Sequence, residues 1–215
     1  TAAGVIAACA AADMGASVIL VAPGAHLGGM TSGGLGATDI GSGDSVTGLA
    51  RQFYERLGAW YGKSVAWTHE PHAAEAVLSE MIAERGVTML FDRRLRSVNA
   101  PDGEWISDAV FESASSPEQP AVMVFAAAFV DATYEGDLMA QAGVSYIVGR
   151  ESSTQYGEVR NGVYPYWTMP DEVDPYVVPG DPASGLLSFT GIEPGGIGPK
   201  GSADGLTQAY CFRLC

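Results

Sequence analysis

Three small residues, Ala2, Ala3 and Gly4, open an alanine-rich stretch of strong helix formers. A helix start built this way lets an anion approach unpaired N–H groups, and in a βαβ unit a dinucleotide's pyrophosphate occupies that place. Gly4 suits the last glycine of a G-x-G-x-x-G-type turn, where helix and strand pack tightly. A buried helix with no ligand has the same sequence, so the start alone decides nothing. At the end of the next apolar run a dinucleotide site uses Asp or Glu to hold a ribose hydroxyl, whereas this chain has Ala22. That counts against ordinary NAD binding. From residue 22 to 43 glycine supplies eight of 22 residues, too many for a regular element. A loop of that length in a compact domain is usually functional, a plain surface loop being the other reading.

His69, Glu70 and His72 carry groups that bind metals or protons. Their spacing is not H-E-x-x-H, and Pro71 prevents a continuous helical display from His69. A polar lining of a helix start is expected, and no metal site. Glu135 with Asp137, or Glu70 with His72, could act as acid and base. Carboxylates two apart on a turn are common without catalysis, and no Ser-His-Asp order or phosphate-binding P-loop accompanies them, so no catalytic residue is assigned. Cys9, Cys211 and Cys215 form neither a metal-ligand spacing nor a disulfide framework. Cys9 reads as a small buried filler, and the other two, at i and i+4, suit one helix face or a loop.

The elements that must position these groups follow from periodicity. Residues 2–14 predict a helix closed by Gly15, and residues 17–21 a strand buried on both faces of a parallel sheet. Asp44 or Ser45 is expected to cap a helix whose stripe is Leu49, Phe53, Leu57 and Trp60. A second helix should start at Pro71 and run to Arg85, with Gly86 as its stop and Val77, Leu78, Met81 and Ile82 as its apolar face. Strands are expected at 87–91, 95–98, 105–112 and 121–130, with a turn at Pro101, Asp102 and Gly103. Residues 131–143 read as a strand end, a tight turn and a short helix, for which Asp137 is the expected cap. The class is α/β: a Rossmann-like parallel dinucleotide-binding sheet, with an antiparallel meander from about Leu95 to Val124 as crossover.

The glycine-rich stretch carries a more specific signal. The run PGAHLGGMTSGGLGATD at residues 23–39 resembles a bacterial family of FAD-dependent oxidoreductases, of the glutathione-reductase and fumarate-reductase type of FAD-binding fold. Further matches follow in order: Trp67-Thr68, Glu70-Pro71-His72, DATYEGDLM at 131–139, VDPY at 173–176, PGDP at 179–182 and QAY at 208–210. The resemblance covers essentially the whole chain. It implies that residues 1–4 are the tail of the pyrophosphate turn, with Ala2 and Ala3 at the cofactor, and that a preceding strand is missing. It also implies that Gly28, Gly29, Met30, Thr31, Gly34 and Leu35 pass along the flavin and its phosphate linker. Glycine suits that role because backbone N–H groups reach oxygens unobstructed, and Thr31 and Ser32 could add hydroxyl donors. The resemblance further implies that Ala22 and Pro23 stand at the cofactor-facing strand end, that the strand around Leu95 meets the adenine edge through its backbone, and that Ala132 and Thr133 contribute backbone contacts. Two positions depart from the pattern: Ala22 replaces an acidic residue, and His69 stands where a bulky aromatic is usual.

Composition limits the partners. The net charge of −14 argues against nucleic acid and anionic membranes, and no apolar run approaches the roughly 18 residues of a membrane span. With 47% hydrophobic and 17% charged residues, a packed core is expected rather than disorder. Residues 1–149 are expected to form an FAD-binding domain truncated at its N-terminus, and 150–215 to begin a substrate-facing region. Any targeting signal would precede Thr1. The resemblance implies hydride transfer between flavin and a small-molecule or sugar-like substrate. Two other readings stand beside it: a cofactor-free relative serving as a structural or interaction module, and a polysaccharide-acting enzyme on the same fold.

Overall fold

The computed structural model describes residues 1–101, 103, 105–164, 174–187 and 198–207. Val173, residues 208–210, Asp102, Cys211 and Cys215, all named above, lie outside them. The chain divides into two compact units, Thr1–Ser145 and Tyr146–Cys215.

In the first unit, α1 (Ala2–Asp13) leads into β1 (Ile19–Val21). Helices α2 (Gly48–Trp60) and α3 (Pro71–Ala83) then carry the chain across to β2 (Thr88–Leu90). β1 and β2 pair in parallel, Ile19 opposite Thr88 and Val21 opposite Leu90, as a helical crossover between neighbouring strands requires. Ile19 is nonetheless 46% exposed, and Leu20 and Val21 are only partly buried, so β1 is not buried on both faces. The core lies among the three helices: Val5, Ala8 and Cys9 of α1 meet Phe53 and Leu57 of α2 and Val77, Leu78 and Met81 of α3. Cys9 is fully buried, its thiol facing the Met81 carbonyl, and burial pushes that thiol up from its ordinary value. Arg85 ties the helix ends together, donating to both Asp13 carboxylate oxygens at 2.8 and 3.0 Å and to the Met81 carbonyl.

The meander follows as β3 (Arg93–Asn99), β4 (Asp108–Ser113) and β5 (Val122–Phe125), antiparallel in that order. Ala109 and Val124 face one another on its buried side, while Met123 and Phe125 are exposed on the other. β5 is shorter than residues 121–130, and its last four residues before Ala126 carry the whole pairing. α4 (Asp137–Gln141) closes the unit. In the second unit, β6 (Tyr176–Val178) and β7 (Asp181–Leu186) form a hairpin, and Arg150 pairs with Asp204.

Two expected caps belong to other residues. Asp44 and Ser45 sit in a separate 3-10 turn, Gly43–Ser45, and Thr47 is the N-cap of α2. Extended Val46 and Thr47 and the left-handed Gly48 break the chain between them. Trp60 also leaves the apolar stripe, at 48% exposed, and meets His72 edge-on. For α4 the capping carboxylate is not Asp137, which is already inside the first turn, but Asp131, which accepts the Met139 N–H at 3.0 Å.

Candidate functional site

Three segments distant in sequence converge on the start of α1. Thr1 caps the helix: its hydroxyl accepts from Gly4 N–H at 3.2 Å and donates to the Ala132 carbonyl at 2.6 Å. Gly4 lies directly beneath, where a Cβ would be 3.1 Å from the Ala132 Cβ and 3.7 Å from Leu20 of β1. The third segment is the 3-10 turn Gly29–Thr31. Gly29 is left-handed, with φ of 57°, and a Cβ there would press into the Tyr134 hydroxyl and lie 3.0 Å from Thr1 Cα. Only glycine lets the turn come this close to the helix start.

The turn is held by side chains from elsewhere. The Tyr134 hydroxyl accepts the Met30 N–H at 2.7 Å. The His69 ring donates from Nε2 to the Thr31 carbonyl at 3.0 Å, since a carbonyl only accepts. Its backbone N–H donates to the Gly36 carbonyl at 2.8 Å, and Thr38 N–H donates to Trp67, so residues 36–38 pair with 67–69. Gly36 is needed there because a Cβ would strike the His69 carbonyl. Ahead of the turn, Glu75 accepts the Leu27 N–H at 3.1 Å and pairs with His26. The Ser32 hydroxyl donates back to the Leu27 carbonyl, so its proton is engaged within the loop.

The described hydrogen bonds sort the expected cofactor residues. The amide of Met30 is taken by Tyr134, that of Thr31 by the Gly28 carbonyl, and that of Leu35 by the Met30 carbonyl. Thr133 gives both its amide and its hydroxyl to Asp131. None of the described hydrogen bonds takes the amides of Ala2, Ala3, Gly28, Gly29, Gly34 or Ala132. No acidic side chain lies in the first turn of α1. These amides, on a helix start of small residues and a left-handed glycine turn, suit an anionic linker such as a pyrophosphate.

Ala22, Pro23 and Leu95 lie in a neighbouring part of the fold. The Ala22 N–H donates to the Leu90 carbonyl at 2.9 Å, and its carbonyl accepts from Arg93 N–H at 3.0 Å. That bond joins the end of β1 to the start of β3, two residues before Leu95, whose strand partner is Phe111. Asp92 braces the junction, accepting from the Ser113 hydroxyl and Ser115 N–H, and these bonds hold its carboxyl below the ordinary value. Ala22 itself offers only a methyl group there.

On the α3 side of the turn, a cleft of about 380 Å³ is lined by His26, Gly29, Ser32, Gly33, His72 and Glu75. His69 and His72 therefore separate: His72 reaches this cleft and His69 turns to the loop. Among the described residues no group of three or more His, Cys, Asp or Glu could hold a metal ion. Glu70 accepts from the Tyr61 hydroxyl at 2.7 Å, and nothing joins it to His72 as an acid–base pair.

The sequence profile of the FAD dependent oxidoreductase family matches residues 1–215. The chain belongs to that family. FAD is the cofactor of the FAD dependent oxidoreductases, and the parallel pair β1–β2 with its helices and the β3–β5 meander form their Rossmann-like FAD-binding architecture. The unengaged amides of Ala2, Ala3, Gly28 and Gly29 fit the phosphates of this dinucleotide. No curated protein matches the chain. Among solved structures, a crystal structure of THI4 from Thermovibrio ammonificans is similar, with 15% identity and a TM-score of 0.47. The similarity covers 73% of this chain and 66% of that one.

Neither His69 nor Tyr134 was legible as a support of the turn. They lie 38 and 104 residues from the groups they hold, and no spacing rule connects such positions.

Proposed function

We propose that this FAD dependent oxidoreductase binds FAD with its pyrophosphate on the amides of Ala2, Ala3, Gly28 and Gly29, and oxidises or reduces a small-molecule substrate. The observation that carries this reading is the set of unengaged amides where the start of α1, the glycine turn and Ala132 meet. Bound FAD supplies the chemistry as a two-electron carrier accepting hydride from, or returning it to, the substrate. The chain's part is to hold the phosphates, fix the turn Gly29–Thr31 and limit water at the ring. The left-handed Gly29 lets backbone donors approach without a side chain between them. Gly34 and Leu35 continue this edge, while Ala22, Pro23 and Leu95 border the adenosine end. The substrate is small, sugar-like molecules being the first class to test.

The experiment is anaerobic mixing of the FAD-loaded protein with a panel of sugars, sugar derivatives and small alcohols, followed by visible absorbance. Bleaching of the flavin band by one class supports hydride transfer and names the substrate class. A protein whose bound flavin is reduced by dithionite and by no substrate class would overturn the oxidoreductase reading while leaving FAD binding intact.

A further inference from the structure

We propose that His69 and Tyr134 act together as positioning residues, a two-point clamp that holds the turn Gly29–Thr31 in its FAD-receiving shape. The proposal rests on the reading of that turn as part of the FAD site. Tyr134 takes the Met30 N–H at 2.7 Å and sits where a Gly29 side chain would otherwise be. By removing the Met30 donor, it leaves Gly28 and Gly29 as the turn's unengaged amides.

His69 holds the other end, and holds it twice. Its ring donates to the Thr31 carbonyl and its backbone N–H to the Gly36 carbonyl, so one residue spans both ends of the segment 31–36. Phe53 packs edge-on against the ring at 6.0 Å and fixes its plane. The other ring nitrogen, Nδ1, is buried with no hydrogen-bond partner among the described residues. An unpaired buried acceptor is destabilising. The Nε2–H donation to Thr31 is the ring's described hydrogen bond, and the contact that an apolar aromatic ring would lack.

The two residues arrive from different elements, one before α3 and one before α4. Neither is displayed toward the cofactor by its own hydrogen bonds, so both act through the turn. Residues that share one partner segment do not contribute independently. Loss of one grip lets the turn relax, and loss of the second then adds less.

The test compares His69→Phe, His69→Gln, Tyr134→Phe and the double variant His69→Phe/Tyr134→Phe in the protein carrying this chain. Gln keeps an amide donor for Thr31, while Phe keeps only the ring. FAD dissociation constants come from flavin fluorescence titration, the flavin band position from absorbance, and folding of each FAD-free variant from circular dichroism and its Tm. H69F and Y134F are each expected to weaken FAD about 3- to 10-fold, the loss of one neutral hydrogen bond, and to shift the flavin band. H69Q should recover most of the affinity, and the double variant should lose less than the product of the singles. Equal affinity and spectrum in wild type, H69F and Y134F would overturn the clamp, as would H69Q binding no better than H69F. Variants that lose Tm with unchanged FAD affinity would show a merely structural role. Failure of the wild type to bind FAD would refute the reading of the turn as a cofactor site, and the clamp with it.

Discussion

Replacing Gly29 by Ala perturbs the site at its narrowest point. Gly29 sits at φ of 57°, and a Cβ built there enters the Tyr134 hydroxyl and lies 3.0 Å from Thr1 Cα and 3.1 Å from Tyr134 Cζ. A backbone carbon, a ring carbon and the hydroxyl on that ring thus bound the new methyl, so the neighbours must move. The left-handed conformation costs alanine about 1–2 kcal/mol that glycine does not incur. Displacing Tyr134 breaks its bond to Met30 N–H, worth about 1 kcal/mol net. The sum, about 2–3 kcal/mol, corresponds to roughly 30- to 150-fold in an equilibrium constant. If the turn adopts this shape only when FAD is present, that factor falls on the FAD dissociation constant. If the turn is already held before FAD arrives, the same energy is lost from folding. The assay is therefore a pair: FAD titration by fluorescence, and urea unfolding of the FAD-free protein. The expected result is that the two losses together come to about 2–3 kcal/mol. G29A within about 0.5 kcal/mol of wild type on both axes, the range of an ordinary surface substitution, would refute the reasoning.

Three further substitutions separate cofactor contacts from scaffold. Ala22→Glu restores the acidic group that a dinucleotide site uses on ribose and should tighten FAD about tenfold, read by the same titration; unchanged affinity would show that the end of β1 does not face the ribose. Arg85→Ala removes a two-pronged pair to Asp13 whose arginine side chain is only 13% exposed, and should cost about 2 kcal/mol in urea unfolding while leaving FAD affinity unchanged. Asp131→Asn tests the brace under α4: burial alone would raise the Asp131 carboxyl, but hydrogen bonds from Met139 and Thr133 outweigh it and hold it below its ordinary value. A carboxyl depressed in the folded state stabilises above its unfolded value, about 3.9, and that contribution is lost as pH falls through the lower folded value. The stability gap between wild type and D131N should accordingly be full near neutrality and close below about pH 4 in acid unfolding; a constant gap would assign the effect to something other than this carboxylate.

Much of the fold could be read from periodicity. α1, α2, α3 and the meander follow from runs in which apolar spacing, a starting proline or a closing glycine agree with one another. Strand ends were less legible: the apolar residues after Phe125 look like a continued strand, yet the described pairing stops with Asp108 opposite Phe125. Caps were misplaced for a related reason. Thr47 takes the N-cap by its place before the left-handed Gly48, and Asp131 accepts from Met139 through the local chain path; composition alone does not separate them from Asp44 or Asp137. At the site, glycine content marked the loop because close approach leaves a compositional trace, as Gly29 against Tyr134 and Gly36 against His69 show. Which amides stay unengaged depends on tertiary hydrogen bonds, so Met30 and Gly29, adjacent in sequence, play opposite parts.

Amide hydrogen exchange with and without FAD tests the location of the site most directly. Protection on adding FAD should appear at the amides that no described hydrogen bond takes, those of Ala2, Ala3, Gly28, Gly29, Gly34 and Ala132, with the exposed face of β5 unchanged. Protection confined to the meander or the second unit, or no change at FAD concentrations that give full binding, would contradict the placement of FAD at the start of α1 and the glycine turn.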